Sequence, residues 1–211
     1  NTYFIALGQA AGVSAVLSAA ESMGFGTGNQ IASGIAGDAG TLPTAAELSN
    51  PAALANFSFG QGSLTATPLQ IAAMYNTFAS GGQYFEPYLV EAEIGADGSE
   101  TRTWDPPAAL NAVDRTDVLL IDSYLEKTVR AGSGSAASST RFAAAGKTAT
   151  AQTGQYIDGV EKNQSWFAGF FPAEEPRYTV VVLKEDGVSG GIDCAPVFKA
   201  ISEGIIALEQ N

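Results

Sequence analysis

Phe142-Ala143-Ala144-Ala145-Gly146-Lys147-Thr148-Ala149-Thr150-Ala151-Gln152-Thr153 is the stretch on which the architecture turns. Two more short apolar runs follow it, Gln164 to Phe171 and Tyr178 to Lys184, with turns between. Runs of this length, separated by turns, predict three adjacent antiparallel strands. Pro196 then opens a final helix, with Val197, Ile201, Ile205 and Leu208 expected on one face. Alternate residues of a strand share a face, so Thr148, Thr150 and Gln152 point the same way. A row of hydroxyls and an amide can hold a carboxylate by hydrogen bonds, and Lys147 adds charge beside it. The same pattern also fits an ordinary amphipathic strand. Gly146-Lys147-Thr148 further matches the end of a phosphate-binding loop. That motif needs Gly five residues before its second Gly, where Arg141 stands, and a helix after it, where a strand is expected.

Moving back along the chain, Gly132 to Thr140 is a Ser/Gly/Ala loop, and Asp114 to Arg130 is a helix with Val118, Ile121, Leu125 and Val129 on one face. Tyr88 to Ile94 alternates like a strand, and Ala96-Asp97-Gly98-Ser99 turns into a second short one. Thr67-Pro68 opens a helix, Thr as cap and Pro at the first helical position, and Gly81-Gly82 stops it. Gly24 to Pro43 is Gly-rich and irregular. Its Gly26-x-Gly28 follows no strand and lacks a third Gly, so a plain loop fits better than a dinucleotide turn. Asn1 to Ser22 is Ala-rich and helical, with a break near Gly12. It begins without an initiator Met or a cap, as a helix already in progress, which predicts a piece of a longer chain. Residues 1–141 are thus mainly helical with loops and a hairpin, and 142–211 are a strand meander plus a final helix. The expected class is α/β, an antiparallel sheet with helices packed on its faces.

The 211 residues are 45% hydrophobic and 15% charged, a globular balance. The net charge of −12 repels nucleic acid. There is no histidine, which excludes Ser-His-Asp and Cys-His pairs and argues against a transition-metal site. Nucleophilic chemistry here needs Lys as its proton handler. The single cysteine, Cys194, lies in an apolar stretch and reads as a small buried thiol. No apolar run is long enough to span a bilayer, and no signal peptide is visible.

Lys147-Thr148-Ala149-Thr150 resembles the Lys-Thr-Gly strand motif of penicillin-binding proteins and serine β-lactamases. Other blocks agree, in order. Asn1-Thr2-Tyr3-Phe4 resembles the residues that begin at the Asn of Ser-x-Asn. Met23 to Gly26 and Gly40 to Pro43 resemble the family loop after it. Phe59-Gly60-Gln61-Gly62 and Thr67-Pro68-Leu69-Gln70 resemble the Gly-Gln-Gly turn and the Thr-Pro-Leu-Gln helix start. Trp166 to Phe170 resembles the strand beside Lys-Thr-Gly, and Pro196 to Lys199 the last helix. The match runs from Asn1 to about Leu208 and is most similar to the monofunctional, class B branch.

The resemblance implies a D,D-transpeptidase-like fold, incomplete at its N-terminus, from a peptidoglycan transpeptidase that cross-links stem peptides through an acyl-serine intermediate. It implies no cofactor, stem peptides and β-lactams as ligands, and a membrane-anchored parent in a cell-wall synthesis complex on the extracytoplasmic face. In the matching roles, Asn1 hydrogen-bonds the substrate amide, Lys147 assists proton shuttling and attracts the terminal carboxylate, and Thr148 and Thr150 bind that carboxylate. The Thr150 N–H serves the oxyanion. Ala149 and Gln152 complete the substrate-binding strand. Two departures matter. The Ser-x-x-Lys element is expected before position 1, so the isolated chain is expected to be inactive and to self-associate or be only marginally stable. Ala149 replaces the usual Gly, so altered rather than abolished binding is expected. A noncatalytic, penicillin-sensor-like or scaffold module of the same fold is the alternative. A β-lactamase fits less well, because the Gly-Gln-Gly and Thr-Pro-Leu-Gln blocks resemble transpeptidases.

Overall fold

The computed structural model describes residues 1–32, 34–102 and 108–210. The chain forms two compact units: Asn1–Ala73 with Gln83–Ala112, and Met74–Gly82 with Val113–Asn211.

The first unit opens with α1 (Thr2–Ala11) and α2 (Val13–Ser22), separated at Gly12 with φ 83°. The expected irregular segment holds a small hairpin, β1 (Gln30–Ala32) and β2 (Ile35–Ala36). Next come α3 (Ala45–Leu48), closed at its start by a Thr44/Glu47 capping box, and α4 (Pro51–Phe57), capped by Asn50. Then α5 (Pro68–Ala79) begins as predicted, with the Gln70 N–H donating to Thr67 Oγ1 at 3.1 Å. Gln70 is buried and ties three segments together. Its Oε1 accepts from Thr67 N at 3.0 Å, and its Nε2 donates to Ala39 O at 2.9 Å and Gly24 O at 3.3 Å. Gly40, at φ 60°, sits where a Cβ would come within 2.3 Å of Thr65 O. The Thr-Pro-Leu-Gln block and the two Gly-rich loops are therefore one hydrogen-bonded scaffold.

Two further ribbons complete this unit: β3 (Gln83–Tyr84) pairs with β6 (Leu110–Asn111), and β4 (Ala92–Ile94) with β5 (Glu100–Arg102). The strand expected over Tyr88 to Ile94 is corrected to its last three residues. Pro87 has no N–H to give a ladder, and the Leu89 N–H is taken by Ile31 O at 2.6 Å, which pulls the chain out of register before Ala92.

In the second unit, α6 (Arg115–Ala131) is capped by Asp114, whose Oδ1 accepts from Thr116 N at 2.8 Å, and buries Val118 and Val129. A 3₁₀ turn at Ser135–Ala137 follows. The three expected strands form one antiparallel sheet in the order β7 (Ala145–Ile157), β8 (Val160–Phe171), β9 (Tyr178–Lys184). The first begins three residues later than expected, because Phe142 packs on Phe171 with ring centroids 5.2 Å apart. The β7–β8 hairpin runs beyond Thr153 to a tight Asp158-Gly159 turn, both residues at positive φ, while β9 pairs only with Ser165 to Phe171. Then come α7 (Gly190–Asp193) and α8 (Ala195–Glu209).

The α8 helix packs as expected on the sheet, but of the four apolar residues expected on one face Ile205 alone packs on the core. Phe198 and Ser202 are buried and Ile205 and Ile206 pack on the core, whereas Val197, Ile201 and Leu208 are exposed. Phe198 decides this: its ring lies 4.7 Å from that of Phe167 and 5.8 Å from that of Phe171, and the largest side chain sets the helix rotation. Cys194 is a buried thiol, as expected, donating to Ser165 O at 3.1 Å.

Candidate active site

The candidate site lies along β7, an outer strand of the three-stranded sheet. Ala149 stands opposite Trp166, and Gly190 lies over this pair: a Cβ on Gly190 would meet Trp166 O at 2.0 Å, Ala149 O at 2.8 Å and Ala149 N at 3.0 Å. The backbone groups of Ala149 and Trp166 thus meet within the ladder. By antiparallel alternation, those of Thr148 and Thr150 turn to the free edge. In agreement, Thr148 O accepts from Lys147 Nζ at 2.7 Å instead of from a neighbouring strand. That edge leaves the Thr150 N–H available to an incoming oxygen.

Among the described residues, Lys147 is the one cation of β7. Partial desolvation lowers its pKa, since an ammonium stripped of some of its water is less stable than a solvated one. Among the described residues no carboxylate lies within ion-pair distance of it, although the chain carries 22 acidic residues. Its Nζ reaches Thr148 Oγ1 at 3.4 Å. A cation without a counter-ion beside two threonines makes a cradle for an anionic oxygen ligand.

A second layer holds this strand. Thr148 Oγ1 lies 2.9 Å from Ser133 Oγ, in the loop after α6. Gly191 presses against both: a Cβ there would come within 2.7 Å of Ser133 O and 3.9 Å of Thr148 Cγ2. The start of α7 is pinned by Asp193, whose side chain is only 7% exposed. Its carboxylate accepts from Lys184 Nζ, Val188 N (2.6 Å), Ser189 N (3.0 Å) and Ser165 Oγ (3.1 Å). The Lys184 ammonium first, then the Ser189 and Val188 N–H groups and the Ser165 hydroxyl, hold its pKa well below the carboxylate range.

Of the residues picked out in the sequence, Lys147, Thr148, Ala149 and Thr150 are brought together. Gln152 stands on the same strand, but its Nε2 donates to Glu161 Oε2 at 2.8 Å across the hairpin. Asn1 belongs to the first unit, precedes α1 with its side chain making no capping bond, and is exposed. Sequence reasoning missed Ser133, Gly190, Gly191 and Asp193. Their Ser/Gly composition marked loops, and only the packing shows which strand those loops touch. A cavity of about 800 Å³ in the first unit, between Leu17, Phe25 and Pro43, is lined by one carboxylate, Glu21.

The sequence model of the penicillin binding protein transpeptidase domain matches residues 1–203. The chain is 32% identical over 203 residues to penicillin-binding protein PbpB of Mycolicibacterium smegmatis, covering 86% of this chain and 30% of that protein. The D,D-transpeptidase domain of a peptidoglycan glycosyltransferase from Eggerthella lenta superposes with TM-score 0.83 at 29% identity, over 100% of this chain and 52% of that one. Penicillin-binding protein A from M. tuberculosis, solved as its penicillin G acyl-enzyme complex, gives TM-score 0.85 at 26% identity, over 98% and 46%. The chain therefore spans about a third to a half of the length of these similar proteins.

Proposed function

The chain belongs to the penicillin-binding protein transpeptidase domain family, and on that premise we propose that the protein carrying it is a peptidoglycan D,D-transpeptidase that β-lactams acylate. The observation that carries this reading is the cation without a counter-ion, Lys147, beside Thr148 and Thr150 on the free edge of β7. A stem peptide ending in D-Ala-D-Ala offers a terminal carboxylate and, one residue back, the carbonyl to be attacked. Lys147 and the two threonine hydroxyls take the carboxylate. The Thr150 N–H, on the open edge, takes the carbonyl oxygen as it gains negative charge.

The nucleophile in this reading is the serine of a Ser-x-x-Lys element, a motif that does not occur among these 211 residues. Its Oγ bonds to the carbonyl carbon, the C–N bond to the terminal D-Ala breaks, and the leaving amine takes a proton. The amine of a second strand then attacks the ester and frees the serine. A β-lactam carries the same carboxylate and a strained amide, and its ring-opened acyl group stays on the serine. In this reading the protein works on the extracytoplasmic face of the membrane, held by an anchor, where its substrate lies.

Intact-mass spectrometry of the full-length protein with benzylpenicillin tests the reading. A stoichiometric adduct is expected, and Lys147→Ala should slow its formation by about a hundredfold, the scale of one electrostatic contributor in such a site. Absence of an adduct on the unsubstituted protein would favour the noncatalytic module of the same fold.

A further inference from the structure

Thr148 Oγ1 has two polar neighbours, Lys147 Nζ at 3.4 Å and Ser133 Oγ at 2.9 Å. A hydroxyl has one proton and two lone pairs, and an ammonium can only donate. Lys147 therefore occupies one lone pair of Thr148. The Ser133–Thr148 bond can run either way, and the two directions have opposite consequences for an anion. If Thr148 gives its proton to Ser133, it turns a lone pair toward the ligand and repels a carboxylate. If Ser133 donates, both Thr148 lone pairs are occupied and its single proton is left for the ligand.

The loop that carries Ser133 is held so that its hydroxyl stays within reach of Thr148. Gly132 N and Gly134 N both donate to Thr128 O, at 3.0 and 3.2 Å, and Ser135 N donates to Gly132 O at 3.1 Å, which fixes the loop on the end of α6. Gly134 lies flat on buried Phe167, where a Cβ would be 3.2 Å from the ring, and Gly191 abuts Ser133 O from the other side. The serine thus stands on a packed shelf beside the strand.

We propose that Ser133 is a positioning residue for carboxylate recognition: its hydroxyl donates to Thr148 Oγ1 and so commits the Thr148 proton to the ligand carboxylate. This rests on the reading of Thr148 as a carboxylate contact. It makes the loop after α6 part of the specificity apparatus, acting through Thr148 without touching the substrate.

The test uses the full-length protein and two probes, benzylpenicillin and its methyl ester, which lacks the carboxylate charge. The readout is the ratio of their second-order acylation rate constants. Ser133→Ala should lower that ratio by roughly three- to tenfold, the net worth of one hydrogen bond. Ser133→Thr, which keeps a hydroxyl, should hold it near the unsubstituted value. A general loosening of the site would slow both probes alike and leave the ratio unmoved in Ser133→Ala, which overturns the proposal. Thr148→Ala separates the two levels. If it lowers the ratio while Ser133→Ala does not, Thr148 is confirmed as the carboxylate contact and Ser133 is rejected. If Thr148→Ala leaves the ratio unchanged, the carboxylate reading fails and the proposal with it.

Discussion

At the residue scale, Lys147 and Asp193 have opposite environments. Lys147 has no counter-ion among the described residues and a pKa lowered by burial, whereas Asp193 is saturated with donors and its pKa is depressed. A carboxylate whose folded pKa lies below its ordinary value of 3.8 stabilises the fold at any pH above that value, and the contribution fades as acid protonates it. Asp193→Asn should therefore lower the melting temperature at pH 7. The gap to the unsubstituted protein should narrow as the pH falls below 3.8, which thermal melts across pH 3 to 7 would read. Ala149 is exposed, and the tight approach at that position is to its backbone, by Gly190. One methyl away from that contact should matter little. Ala149→Gly in the full-length protein should change the acylation rate about tenfold or less, roughly 1.4 kcal/mol of barrier. A change of several orders of magnitude would mean the site is shaped around the methyl. Lys147, Thr148 and Thr150 were legible because their motif is local, all within one strand. Ser133 was not, because its partner Thr148 lies across a loop, and Asp193 was not, because its contacts to Lys184, Val188 and Ser189 depend on how that turn folds back.

At the element scale, the three strands could be read from short apolar runs between turns, and their order along the sheet follows the order in the chain. The α8 helix shows the limit of that reading. Its apolar residues wrap much of the cylinder, so periodicity allowed more than one inner face, and Phe198 docking on Phe167 and Phe171 selected it. Tyr88 to Ile94 shows another limit, since alternation predicts a strand only where the backbone finds a ladder partner. The start of α7 is the most constrained junction beside the site. Gly190→Ala would drive a methyl into Trp166 O, a backbone atom that moves only with the sheet. A loss of about 1–3 kcal/mol or more is expected in denaturant titrations. An equally stable variant would mean that α7 can lift off the strand.

At the scale of the whole molecule, the core of the second unit is one aromatic cluster, Phe167, Phe171 and Phe198, with Phe142 and Tyr178 at its border. Phe198→Ala should cost about 3–5 kcal/mol, measured as a shift in the denaturation midpoint, because the rings are too interlocked to close the gap. A shift near zero would show that this cluster is not the core. The first unit depends instead on polar ties, and Gln70→Ala should speed amide exchange in residues 24–42, where the Gly24 and Ala39 carbonyls lose their donor. From the sequence alone came the layered α/β class, the three-strand meander, the helix starts at Thr67 and Asp114, and the strand that carries Lys147. Each of these is written in residues close enough along the chain to interact through local backbone geometry. Tertiary structure alone decided which face α8 buries, that Gln70 joins two distant loops, and that Ser133 and Gly191 meet Thr148. Those are contacts between segments fifteen or more residues apart, and their partners are chosen by packing shape, which no local pattern encodes.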